Sequence, residues 1–159
     1  MTRVNVFTAA TVVDPDDPPG YHAPRAKLGP LIGASLLGGS VYELQPGQSV
    51  CPYHYEIGNE EWLLVVEGAA TVRHADGRGD RETVLEPGDL VCFPDGPEGA
   101  HKVSNASDAP VRVLLLSTMV DPSASAYPDS DKIGIWPGGD ADGLIVRRES
   151  AVDYYDGEL

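Results

Sequence analysis

The chain has 159 residues and a formal net charge of −14, and 42% of its residues are hydrophobic. This length and composition suit one globular domain, and the acidic surface argues against binding to a phosphate backbone. No stretch approaches the roughly 20 apolar residues that cross a bilayer, and no signal-peptide pattern follows Met1, so we expect a cytoplasmic protein without membrane or nucleic-acid partners.

Residues 1–28 predict an N-terminal arm. Val4–Phe7 favours one short strand. Residues 14–30 are dense in Pro, Asp and Gly, which indicates a segment laid over a surface.

Residues 29–121 predict a barrel of short strands. Turn residues such as Gln45-Pro46-Gly47 separate the β-rich runs, and this spacing is typical of an all-β sandwich or closed barrel. The predicted strands are Leu31–Leu37, Val41–Leu44, Trp62–Val66, Ala70–His74, Thr83–Leu85, Leu90–Phe93 and Val111–Thr118.

Residues 122–159 predict an irregular C-terminal tail with one short strand, Leu144–Arg147. Tyr127 and Trp136 stand in polar sequence, which indicates that the tail packs on the barrel. The whole chain, residues 1–159, is therefore interpreted as a single domain.

The strand Trp62–Val66 is apolar on both faces. An antiparallel strand with one wet face should alternate between apolar and polar residues, so this strand needs cover on both sides. A second sheet or a partner subunit would supply that cover, and the sequence therefore favours a homodimer.

Four residues are candidate ligands of a divalent metal: His54, Glu56, Glu61 and His101. His54 and Glu56 stand two apart, so in a strand both point to one face. Glu61 follows after a short turn and would face them across a hairpin. His101 joins the group only if the sheet curls.

The donor set mixes two imidazoles with two carboxylates. It suits a transition metal such as Fe, Zn, Mn or Ni better than calcium or magnesium, which prefer oxygen ligands. The spacing by itself is also explained by unrelated surface residues. Cys51 and Cys92 are expected to be reduced, buried residues, since no export signal accompanies them.

Two motifs along the chain are similar to those of the cupins. The first spans residues 47–68 and contains Gly47, His54, Glu56, Glu61 and Gly68. The second spans residues 88–105 and contains Gly88, Pro94, Gly96, His101 and Asn105. The chain thus resembles a small single-domain bacterial cupin, which implies a double-stranded β-helix, or jelly-roll barrel, with the arm and tail appended.

One departure from the family pattern affects the site. Glu56 stands where the family usually has a second histidine. The change adds negative charge and leaves the identity and occupancy of the metal open.

The resemblance implies several functions on one scaffold. The first hypothesis is a metal-dependent enzyme, an isomerase, dioxygenase, decarboxylase or lyase, that acts on a small carbohydrate-like or organic-acid substrate. Glu56 or Glu61 would then serve as general base. The alternatives are a non-catalytic sensor or small-molecule binding module, and a metal-free structural module.

Overall fold

The computed structural model describes residues 1–138 and 142–158. Within these ranges the chain forms twelve strands and one four-residue helix, α1, at Gly29–Ile32. The strands are β1 Arg25–Lys27, β2 Leu37–Leu44, β3 Tyr55–Ile57, β4 Glu61–Glu67, β5 Ala70–Ala75, β6 Asp80–Leu85, β7 Leu90–Phe93, β8 His101–Ser104, β9 Val111–Thr118, β10 Ser123–Tyr127, β11 Lys132–Trp136 and β12 Leu144–Arg147. Short 3₁₀ turns lie at Pro97–Gly99, Pro128–Ser130 and Arg148–Ser150. No helix in the described ranges is long and apolar enough to cross a membrane.

The strands form antiparallel sheets that face each other in two layers. The first sheet has five strands in the order β1-β2-β9-β4-β7. Two smaller sheets, β6-β5-β8 and β12-β11-β10-β3, meet where His54 and His101 form an isolated antiparallel bridge. The mostly-β chain therefore has the expected jelly-roll architecture.

The core lies between the layers, because successive side chains on the strands of the first sheet point alternately to the inner and the outer face. Leu63 and Val65 on β4 point inward beside Val113 and Leu115 on β9, and all four are buried. They form one cluster with residues of the opposite layer, including Val72. Residues between them on each strand point to the outer face.

The N-terminal arm covers part of that outer face. Val4, Val6 and Ala9 pack against a small cluster that contains Val41 of β2. Arg112, which is buried, donates hydrogen bonds to the carbonyls of Val6 and Ala9 at 2.8 and 2.7 Å. The arm thus covers the outer face at β2 but not at Trp62 of β4, which is 41% exposed.

Several local predictions differ from the structure. Val4–Phe7 is not a strand: residues 6–8 form a turn. The predicted strand Leu31–Leu37 is also wrong, because α1 occupies its start and β2 begins only at Leu37. The last residues of the arm form β1, which pairs with β2.

The C-terminal tail carries more regular structure than the sequence indicates. Besides the predicted strand Leu144–Arg147, it forms β10 and β11, and β10 pairs with β3. The tail therefore extends the second layer and lies directly beside the strand that carries Glu56.

Two motif residues, Gly68 and Asn105, lie in turns. Gly68 has a φ of +77°, and a Cβ there would lie 2.6 Å from the carbonyl oxygen of Pro110, so only glycine fits. The side chain of Asn105 donates to the carbonyls of Leu44 and Ala109, and its oxygen accepts from the backbone N–H of Ser107. Asn105 thus stabilises the turn after β8.

Candidate metal centre

The candidate ligands converge from the two layers of the barrel. His54 and His101 are backbone neighbours, since each N–H donates to the other residue's carbonyl at 3.1 and 2.8 Å. Glu56 follows on β3, while Glu61 opens β4 in the opposite sheet. The expected hairpin between Glu56 and Glu61 is wrong, because β3 pairs with β10 and β4 pairs with β7 and β9. Glu61 instead reaches the histidines across the interior of the barrel.

Three of the four predicted residues form a compact donor group. One ligand atom from each of His54, Glu61 and His101 lies within 4.8 Å of the other two. Oε2 of Glu61 is 3.6 Å from Nε2 of His54 and 3.4 Å from Nε2 of His101. Glu56 is not in this group, although its Oε1 lies 3.4 Å from Nε2 of His54.

Hydrogen bonds to the backbone orient both imidazoles. Nδ1 of His54 lies 3.0 Å from the carbonyl oxygen of Pro52, and Nδ1 of His101 lies 2.9 Å from that of Gly99. A carbonyl only accepts, so each Nδ1 carries the proton. Each Nε2 is therefore aimed at Glu61, which is the arrangement typical of metal-binding histidines.

Two atoms of the group lack the partners that buried polar atoms normally have. Oε2 of Glu61 and Nε2 of His101 are buried without a hydrogen-bond partner among the described residues. Such groups are costly unless they are satisfied. An ion between them would satisfy both, so the residues present fit a divalent cation.

The charge balance around the two histidines also favours a cation. Burial alone would lower the pKa of His54, but its contacts with Cys51, Glu56 and Glu61 outweigh burial and raise that pKa. Burial, together with the charge on His54, lowers the pKa of His101 to about 4. The raised pKa of His54 reflects the negative charge that Glu56 and Glu61 bring to this buried site, and such a charge favours a cation.

Glu56 is held by a residue of the tail. The hydroxyl of Ser125 on β10 donates to its Oε2 at 2.7 Å, and Ser125 is buried. Oε1 remains directed toward His54. Glu56 therefore has one oxygen fixed by a neighbour and the other available to the site.

Aromatic rings and a thiol complete the surroundings. Phe93 stacks on His101 with ring centroids 3.6 Å apart, and Tyr127 stacks on His54 at 5.9 Å. Sγ of Cys51 lies 3.5 Å from Nδ1 of His54, on the ring edge that faces away from Glu61. The expectation that both cysteines are buried is wrong: Cys51 is half-buried and Cys92 is exposed, and both are free thiols.

Two cavities flank His54. One of about 490 Å³ is lined by Glu61, and the other of about 400 Å³ is lined by Glu56. His54, Cys51, Ser117 and Met119 line both. Glu61 and Glu56 therefore face different cavities, and the imidazole of His54 borders both.

Sequence reasoning missed two contributors to this site, Ser125 and Lys27. Lys27 lines the larger cavity, and Ser125 lines the smaller one. Neither belongs to a motif, since each reaches the site only through strand pairing. Tyr127 does lie in the tail expected to pack on the barrel, and its ring stacks on that of His54.

The fold and the donor group define a small β-barrel protein with a candidate metal centre in its interior. Residues 40–117 match the family model of the cupin domain, so the chain contains a cupin domain. No curated protein sequence matches it.

Solved structures show the same fold. A cupin-superfamily sugar phosphate isomerase from Silicibacter pomeroyi is 23% identical, with a TM-score of 0.76 over 97% of this chain and 98% of the other. A proposed sugar phosphate isomerase from Acidithiobacillus ferrooxidans is 24% identical, with a TM-score of 0.73 over 85% and 82% of the two chains. An oxalate decarboxylase from Lactobacillus farciminis is 21% identical, with a TM-score of 0.52 over 67% of this chain and 31% of that one.

Proposed function

We propose that this protein is a metal-dependent enzyme that acts on a small carbohydrate-like or organic-acid substrate. The observation that carries the proposal is the pair of buried, unpartnered atoms, Oε2 of Glu61 and Nε2 of His101, facing each other in the barrel. Similarity of fold to sugar phosphate isomerases and an oxalate decarboxylase is compatible with this class of activity.

In the proposal, Nε2 of His54, Nε2 of His101 and Oε2 of Glu61 hold the ion, with Glu56 beside them. Two nitrogens and carboxylate oxygens suit Fe, Zn, Mn or Ni. When bound, such an ion polarises a substrate oxygen and makes the neighbouring protons more acidic.

Glu56 is the better of the two candidates for general base. Its Oε1 borders the smaller cavity and lies at the edge of the donor group, so it can take a proton from a substrate carbon or hydroxyl. The hydrogen bond from Ser125 keeps that carboxylate in place. Glu61, whose Oε2 is buried between the imidazoles, would hold the ion as a ligand.

Metal analysis of protein purified without chelator tests the ligand assignment. His54→Ala, His101→Ala and Glu61→Gln should each remove most of the bound metal. His74→Ala is the matched control: His74 pairs with His101 across β5 and β8, but its ring contacts Thr83 and the carbonyl of Ala75. Unchanged metal content in the three site variants would contradict the assignment.

A turnover screen then tests whether the site is catalytic. Oxygen consumption and isomerisation of sugars and keto acids would be followed with metal-loaded protein, and Glu56→Gln should abolish turnover even at metal concentrations high enough to keep its weakened site occupied. Tight ligand binding without turnover of any compound would favour the alternative of a binding module.

A further inference from the structure

A lysine on the edge strand β1 lines the larger cavity at its rim, where the side chain is exposed. β1 pairs with β2 so that Lys27 stands opposite Ser40, and paired residues share one face of a sheet. Tyr42, two residues after Ser40, packs against the main core, which shows that this is the inner face. Lys27 and Ser40 both line the 490 Å³ cavity.

The cavity has different chemistry at its two ends. His54 and Glu61 lie at one end and Lys27 at the other, and apolar side chains such as Val50, Leu115 and Met119 lie along its walls. Among the described residues that line it, Lys27 is the one with a permanently charged cationic group. Lysine and arginine are in the minority in this chain, which has a formal net charge of −14, so a lysine at this cavity is notable.

Strand order separates the two ends of the cavity. Lys27 and Glu61 stand on strands that are three apart in the order β1-β2-β9-β4. At about 4.8 Å per strand, their backbones are separated by roughly 14 Å across the sheet. The two side chains span part of this distance, and a ligand that contacts both would span the rest.

We propose that this cavity binds an organic acid with an apolar body, whose acidic group pairs with Lys27 and Ser40. The opposite end of the molecule faces Glu61 and His54, and this orientation rests on the proposed function. The apolar side chains of Val50, Leu115 and Met119 would contact that body.

Matched probe pairs test this proposal by calorimetry on the full-length protein. The probes are hexanoate, octanoate and 4-phenylbutyrate, each compared with the alcohol of the same carbon skeleton. The carboxylates should bind more tightly than the alcohols. Lys27→Gln should weaken the carboxylates about tenfold and leave the alcohols unchanged, because a hydrogen bond between charged groups is lost. Lys27→Arg should retain the preference.

Two further variants locate the effect. Lys102→Gln removes the same charge outside the cavity and should change nothing. Ser40→Leu fills the cavity from its wall and should weaken both members of each pair. Equal binding of acids and alcohols, an unchanged preference in Lys27→Gln, or no binding of any probe would overturn the proposal.

Manganese titration of the same proteins separates this inference from the proposed function. Both Lys27 variants should bind Mn²⁺ as the wild type does. If the wild type binds no metal but discriminates acids from alcohols through Lys27, the cavity assignment stands and the metal-enzyme proposal fails. If the wild type binds metal without that discrimination, the metal centre stands and the cavity assignment fails.

Discussion

The hydroxyl of Ser125 and Oε2 of Glu56 are joined by a hydrogen bond of 2.7 Å although 69 positions separate the two residues. The register of β10 against β3 places them opposite each other. The tail of the chain thus fixes the orientation of a carboxylate that belongs to the barrel.

Ser125→Ala should weaken Mn²⁺ binding about tenfold, because loss of a hydrogen bond that orients a carboxylate at a metal site typically has this effect. Glu56→Gln should weaken it at least as much, and the double variant should be no weaker than Glu56→Gln alone. Calorimetric titration measures all three. Ser123→Ala, two residues earlier on β10, is the control and should bind like the wild type; additive losses would show that Ser125 acts independently of Glu56.

The strands and the site were predictable to different degrees. β7, β9 and β12 have the bounds that their apolar runs predict, because burial of such runs fixes where a strand must lie. β10 was missed since Ser123–Tyr127 consists mainly of small residues with weak strand preference. Its structure comes from pairing with β3 and β11, which no local pattern encodes.

The same distinction applies to the donor group. His54 and Glu56 follow from a two-residue period, which is local. Glu61 does lie with His54 and His101, but the predicted hairpin does not bring it there. Its strand, β4, belongs to the opposite sheet. Lys27 and Ser125 reach the site through long-range registers, so only the folded chain reveals them.

Acid should weaken the polar contacts that Asp80 makes with Tyr53 and Arg73. Hydrogen bonds from Tyr53 and Arg73 lower the pKa of Asp80 below its ordinary 3.8, and Arg73 also binds Asp129 in the tail. Because the pKa in the folded state lies below that in the unfolded state, Asp80 stabilises the protein above about pH 4, and this contribution is lost as the pH falls through the lowered pKa.

The loss can be measured as the change in Tm between about pH 5 and pH 3. Asp80→Asn should show a smaller change than the wild type, since it cannot titrate. Asp108→Asn, at an exposed turn, should behave like the wild type. Equal pH dependence in all three proteins would contradict the role assigned to Asp80.

Gly68→Ala should be among the more damaging single substitutions. The added methyl group would collide with the carbonyl of Pro110, and alanine would also have to adopt a φ of +77°. We expect a loss of about 3 kcal/mol in the free energy of unfolding. Gly47→Ala, with a φ of +82° and open space around the new methyl, should cost only about 1 kcal/mol. Urea unfolding measures both, and equal losses would mean that backbone strain alone decides the effect.

The outer face of the five-stranded sheet leads to a prediction about assembly. Trp62 stands opposite Leu116 on β9, and Leu64 stands opposite Leu90 on β7, so these side chains share the outer face. Trp62 is 41% exposed and Leu90 is 55% exposed, because the arm packs around Val41 and does not cover them. We expect a second copy of the chain to pack on this face.

Sedimentation equilibrium should therefore show a homodimer for the wild type. Leu90→Lys and Trp62→Glu would each place a charge in the buried interface, and either should raise the dissociation constant at least tenfold. Leu144→Lys is the control, since Leu144 is similarly exposed but lies on β12 in the other layer. A wild-type protein that sediments as a monomer would mean that water contacts Trp62 directly, and the two-sided apolar strand would then have no covering partner beyond the arm.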